Sequence, residues 1–400
     1  MIRRLSAVAR PAAGEQAGRY LGRRIKYGWP GRLRWPLLVL AFGFFLAACG
    51  SAAVSDPLSS GRQHVEASRC VGINEYEAAI SDLQTALVES PGRLEAYYWL
   101  YLAYRESGDA ESTARTATDL ERAVAAGDGD PEHWFWLFKV YGEEQNSAGQ
   151  EEVLAELERI VLEAPGNAAG HLWLGRAYYE LGRIDEAQQA FEGAVAMDPD
   201  HYLAHFWLGQ MYTDLGQLEA ALAEFNIVLQ ADPENAAAYH NRGVIAYQLG
   251  DLDQALADFD QALEQDPGDP RTHYQLGTVY LAQSLPENPL IDLPDEGMME
   301  QAQSEFEQAL ELCPGMPEPL TGLGNLYLIQ NNAEAALAPL NQAVQFAPNS
   351  PEAWFALGRA HALAGNISEA CNALGRFLRL SPPAEWAEQA EQIRTQLNCP

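Results

Sequence analysis

Eight histidines, five cysteines and a twofold excess of carboxylates over basic side chains are the groups in this 400-residue chain that could do chemistry. His201 and His205 stand four apart, the spacing that puts two imidazoles on one helix face as metal ligands. No third ligand accompanies them, and His201 falls in a turn between two repeated blocks. His171, His205 and His273 recur at intervals of 34 and 68 residues, the distribution of a packing position rather than a reactive one. Asp128-Gly129-Asp130 matches a fragment of a calcium loop but lacks the further ligands and the closing glutamate. Cys70, Cys313, Cys371 and Cys399 show neither metal-ligand nor thioredoxin-like spacing. Phosphate-cradling glycine loops, a Gly-x-Ser-x-Gly elbow and a Cys/His pair are missing. The chain reads as a non-enzyme, with no cofactor and no metal site.

The elements that must position any site are written in a recurring block. Leu174-Gly175-x-x-Tyr178, Ala187, Phe191, Ala194 and Pro199 return 34 residues later as Leu208-Gly209-x-x-Tyr212, Ala221, Phe225, Val228 and Pro233. Gly243, Ala255, Phe259, Ala262 and Pro267 continue the series, and Leu276-Gly277-x-x-Tyr280, Ala302, Phe306, Ala309 and Pro314 follow after an insertion. Two further copies close on Pro348 and Pro382. Leu, Gly and Tyr fall at i, i+1 and i+4 in the first half, and Ala, Phe and Ala at i, i+4 and i+7 in the second, so each half predicts one amphipathic helix. Between the halves stands Gly108, Gly182, Gly216, Gly250, Asn331 or Gly365, residue types that tolerate the left-handed turn ending a helix.

This pattern resembles the tetratricopeptide repeat, a 34-residue helix-turn-helix unit with W-x2-L-G-x2-Y, A-x3-F and P at fixed offsets. The resemblance implies an all-α, right-handed α-solenoid with a C-terminal capping helix. The expected organisation is a degenerate first repeat over 62–93, then eight repeats over 94–383. Their bounds are 94–130, 131–167, 168–201, 202–235, 236–269, 270–316, 317–350 and 351–383. The first two carry about three extra residues, placed in their turns. Residues 384–400 supply the cap and tail, with Glu385, Glu388, Glu391 and Arg394 on its exposed face, as an open array needs for solubility. Cys371, near the start of the last second helix, and Cys399, after the cap, are expected to lie close enough to bridge. Three prolines in the insertion at about 284–297 exclude a regular helix there. It reads either as a tolerated surface loop or as a partner-contacting finger through Leu285, Leu290, Ile291 and Leu293.

The first 48 residues differ from the rest. Residues 1–34 hold nine basic residues against Glu15, and Trp35–Ala48 is nearly all apolar. That is the build of an export signal, too short for a membrane span of roughly 20 apolar residues. Leu46-Ala47-Ala48-Cys49 resembles the bacterial lipobox, which implies cleavage before Cys49 and its lipidation. Residues 49–61 read as a flexible tether. An exported protein, lipid-anchored to the cell envelope on its periplasmic or extracellular face, is the resulting expectation.

Beyond residue 48 the chain holds 16 basic and 55 acidic residues, a net charge of −39. Such a surface repels phosphate backbones, so nucleic acid is excluded as a partner.

In the resembled family the first helices line a concave face, and the resemblance carries that role onto specific positions here. The fifth position of each repeat gives Tyr98, Phe135, Leu172, Phe206, His240, Tyr274, Thr321 and Phe355. The ninth gives Lys139, Arg176, Gln210, Asn325 and Arg359, the twelfth gives Tyr179 and Tyr247, and Asn241 matches a position that contacts ligand backbone in the family. Rings beside cations are surfaces that carry binding energy. The expected partner is an extended or helical protein segment bound in the groove of an envelope-assembly scaffold. The alternative is a small-ligand receptor or envelope enzyme with its site inside the superhelix.

Overall fold

The computed structural model describes residues 56–71, 75–127, 129–286 and 293–400. The expected signal segment, Cys49, Leu290 and Ile291 lie outside the described residues. Nineteen α-helices occupy the described residues, and none is long and apolar enough to cross a membrane. They pair as nine hairpins: α1 Pro57–Val71 with α2 Tyr76–Glu89, α3 Glu95–Ser107 with α4 Ala110–Ala126, α5 Pro131–Glu143 with α6 Ser147–Glu163, and α7 Ala168–Glu180 with α8 Ile184–Met197. Then come α9 Tyr202–Asp214 with α10 Leu218–Ala231, α11 Ala236–Leu249 with α12 Leu252–Gln265, α13 Pro270–Gln283 with α14 Glu296–Leu312, α15 Pro317–Ile329 with α16 Ala333–Phe346, and α17 Pro351–Ala364 with α18 Ile367–Leu378. Helix α19, Ala384–Gln396, closes the array.

The repeating Gly and Phe form a lock between the two helices of a hairpin. A Cβ on Gly175 would sit 2.7 Å from the Phe191 ring, and one on Gly243 would sit 2.8 Å from Phe259. Phe191, Phe225, Phe259 and Phe306 are fully buried, each worth roughly 1.5–3 kcal/mol of apolar burial. The missing side chain on one helix is therefore the socket for the ring on the other. The turn residues take the left-handed backbone, with φ of 71° at Gly182 and 57° at Asn331.

A second device fixes the start of several hairpins to the turn before it. The fourth-position ring donates to the carbonyl of the proline between repeats: His171 Nε2 to Pro165 at 3.0 Å, His205 Nε2 to Pro199 at 3.0 Å, and Trp354 Nε1 to Pro348 at 2.9 Å. With His205 Nδ1 also held 2.6 Å from Glu224, both of its ring nitrogens are committed to packing.

Consecutive first helices touch one another along the array, from α3 and α5 through to α15 and α17, while the second helices fan apart. The stack therefore bends with first helices inside.

Three expectations need correction. The extra residues of the early repeats lie in the second helices: α4, α6 and α14 have 17 residues where α8, α10 and α12 have 14. Three residues add almost one α-helical turn, so lengthening a helix keeps its apolar stripe in phase. Residues 57–61 of the expected tether begin α1, which buries Leu58 and Val65 and admits Leu83 over Gly61. Finally, the first hairpin is not a free end. Cys70 of α1 is joined to Cys313 after α14, with Cα atoms 4.6 Å apart, and Gly315 N–H donates to the Cys70 carbonyl at 3.1 Å. The first seven hairpins thus close on themselves, and the expected open trough becomes a latched one.

The other two cysteines, Cys371 and Cys399, are also joined, with Cα atoms 5.5 Å apart. Helix α19 buries Ala390 and Ile393 against α18 and lays Trp386 on Phe355, ring centroids 5.6 Å apart.

Candidate functional site

The inner face is built from repeated positions of the first helices, and its side chains differ from those expected. The fifth-position rings mostly plug the seams between helices. Phe135 is fully buried, Tyr98 and Phe355 nearly so. Tyr98 packs on Trp136 at 5.5 Å, Phe206 on Phe225 at 5.6 Å and Tyr274 on Phe306 at 6.1 Å. The reason is geometric: a ring at this position meets the next first helix, as Tyr98 does, or the second helix of its own hairpin, as Phe206 and Tyr274 do, before it meets solvent. Tyr98, Phe135 and Phe355 therefore belong to the core. Arg359 is also buried, at 5% exposure, and burial pushes its guanidinium down to about 10.

Leu172 and Thr321 are buried as well, and the remaining groove candidates stay half-buried. Lys139 donates to Glu180 at 2.8 Å, and Tyr179 donates to Asp214, whose other oxygen accepts from Gln210 at 3.2 Å. His240 Nδ1 meets Thr272 Oγ1 at 2.7 Å, and that hydroxyl donates to Asp269 at 2.7 Å. Burial pushes His240 down to about 4, so its ring is neutral at neutral pH. Tyr247, beside Tyr274, is pushed up to about 12 by burial. Asn241, Tyr274 and Asn325 are half-buried on the same side.

The sixth position carries what the sequence reading missed. Trp99, Trp136, Trp173 and Trp207 occupy it in four successive hairpins, a series visible in the sequence as tryptophans 37, 37 and 34 residues apart. Trp136 and Trp173 stand 6.3 Å apart, centroid to centroid. Trp99 Nε1 donates to Glu95 at 3.0 Å and Trp136 Nε1 to Glu132 at 3.1 Å. Over this ladder lies Arg176, its guanidinium carbon 4.1 Å from the Phe135 centroid, 4.7 Å from Trp173 and 4.3 Å from Trp207.

Among the described residues, two hollows open to solvent lie beside Glu300 on α14 and, on the groove side, beside Tyr179 and Asp214.

Sequence profiles described as tetratricopeptide repeat match residues 151–192, 172–236, 214–270, 240–287 and 323–398, together more than half of the chain. The chain is a tetratricopeptide repeat protein. Among solved structures, a tetratricopeptide repeat protein from Parabacteroides merdae is 18% identical, with a TM-score of 0.52 over 67% of this chain and all of that one. A chain of the APC/C hetero-tetramer Cut9–Hcn1 is also 18% identical, with a TM-score of 0.51 over 71% of this chain and 52% of that chain. Identities this low establish a shared fold and nothing finer. No curated protein matches the chain in sequence. Tetratricopeptide repeat arrays present extended curved surfaces to protein partners.

Proposed function

We propose that this protein is an exported, lipid-anchored scaffold that docks a segment of another envelope protein against its first helices and assists assembly of an envelope complex. The observation that carries the reading is the tryptophan series of the first helices, in which Trp99 and Trp207 stay half-buried while Trp136 and Trp173 are buried, rigid rings of the kind that anchor interfaces. Export is supported by the basic-then-apolar leader ending in Leu46-Ala47-Ala48-Cys49. The two disulfides support it too, since such bonds persist in oxidising compartments.

Affinity capture from envelope extracts tests the docking face. Trp207→Ala with Asn241→Ala on the inner side should lose the proteins that wild type recovers, whereas Glu192→Ala with Gln230→Ala on second helices should keep them. Equal recovery by both variants would remove the inner face from the reading. Mass spectrometry of the mature amino terminus tests the anchor, which predicts a diacylglyceryl group on Cys49; an intact leader contradicts it.

A further inference from the structure

Acids outnumber bases more than three to one beyond residue 48, and nine described arginines pair with a carboxylate, whereas Arg115, Arg176, Arg359, Arg376 and Arg379 do not. Arg105, Arg159, Arg183 and Arg242 each hold one. Arg176 makes no hydrogen bond or ion pair among the described residues, and its Nε is buried with no acceptor. The three carboxylates whose charge reaches it are engaged elsewhere: Glu180 by Lys139, Glu132 by the Trp136 indole and Glu95 by the Trp99 indole. The rings of Phe135, Trp173 and Trp207 pack around the guanidinium carbon at 4.1, 4.7 and 4.3 Å. They surround it with carbon, and its N–H groups meet no acceptor among the described residues. Cation–π attraction accounts for the stacking but satisfies none of the five donors, and buried donors without acceptors are rare in folded proteins.

We infer that Arg176 is a carboxylate-recognition point, which receives an aspartate or glutamate side chain from an extended partner segment whose neighbouring residues lie along the tryptophan ladder. The inference rests on the inner-face reading above and names the chemistry of its ligand. A planar fork with free donors fits a carboxylate in two parallel hydrogen bonds. Ring walls lower the local dielectric and strengthen that contact. The strong negative charge of the whole chain opposes an acidic ligand at long range, but at physiological salt it is screened beyond about 8 Å. The first-helix ladder suits an extended chain, and a proline-rich one is already extended before it binds.

The test is calorimetric titration of the mature chain at physiological salt with three acetylated, amidated decapeptides: alternating Glu-Pro, Gln-Pro and Lys-Pro. The Glu-Pro peptide should bind at least tenfold more tightly than Gln-Pro, and Arg176→Gln should abolish that preference while its circular dichroism stays unchanged. Arg176→Lys, which keeps a cation within the rings but loses the fork, should retain a preference reduced several-fold, and it decides the matter should the Gln variant fail to fold. Equal binding of Glu-Pro and Gln-Pro to wild type would sink the inference while leaving the inner face as a docking site. Tighter binding of Lys-Pro would assign the face to a basic partner. Binding of none of the three would overturn the carboxylate assignment, with the capture experiment still deciding the docking face.

Discussion

Cys70 and Cys313 stand with their Cα atoms 4.6 Å apart although 243 residues of chain separate them. Hairpins that meet only their neighbours have come round far enough for the first to touch the seventh. The bond ties the curvature of the whole stack to one covalent link. Replacing both cysteines by serine should lower stability by roughly 2–4 kcal/mol, since closing a long loop restricts the unfolded chain most. It should also raise amide exchange in α1 and α2 selectively. Replacing Cys371 and Cys399, whose loop spans 28 residues, should raise exchange only in α18 and α19. Unchanged exchange in α1 and α2 would mean that the latch contributes nothing.

The Gly–Phe socket predicts an inversion of helix propensity. Gly175→Ala gains about 1 kcal/mol of intrinsic helix preference, yet its Cβ would lie 2.7 Å from Phe191. Overpacking of this kind costs about 1–3 kcal/mol, so denaturant melts should show net destabilisation. Gly166→Ala, with nothing within 4 Å, should be close to neutral. Equal effects at the two sites would contradict the socket.

His240 predicts acid lability. Its pKa is pushed down from 6.5 to about 4 by burial, so the unfolded state binds the proton more readily in that interval. Stability is therefore complete above pH 6.5 and is lost as pH falls towards 4. The loss approaches about 3 kcal/mol before screening and relaxation reduce it. Asp269, held below its ordinary range chiefly by Arg271 and the Thr272 hydroxyl against the effect of burial, adds a loss of the same sign at lower pH. Thermal midpoints of His240→Asn should fall less steeply than those of wild type between pH 7 and 4.5. Parallel slopes would show that this histidine is not the cause.

Asp258 is 1% exposed and accepts both arms of Arg242, at 2.9 and 2.6 Å. Asp258→Ala should cost about 3 kcal/mol by stranding a partly buried guanidinium. Chemical melts should show a much smaller effect for Asp214→Ala at the exposed end of α9. A loss below 1 kcal/mol at Asp258 would place that pair among ordinary surface contacts.

The helices were legible because Gly175, Phe191 and their successors are local requirements of a single hairpin and repeat in sequence. Relations between hairpins were harder to read. Whether Phe135 faces the groove or the next helix depends on how closely α5 and α7 approach, and its neighbours in sequence do not state that distance. The tryptophan series was visible, but the family pattern drew attention to the fifth position instead of the sixth. Cys70 pairs with Cys313 only because the curvature of seven hairpins sums to a closure, a quantity that no local motif contains. The extra turn in α6 was misplaced for a related reason, since three residues before Val153 extend a helix or a loop with the same composition.

The central claim, that a partner segment lies along the inner face formed by the first helices, is tested most directly by site-specific photo-crosslinking. A benzophenone side chain at Gln210 on α9 should join the captured partner, and one at Gln230 on α10 should not. Crosslinks of equal yield from the two positions, or from Gln230 alone, would contradict the account.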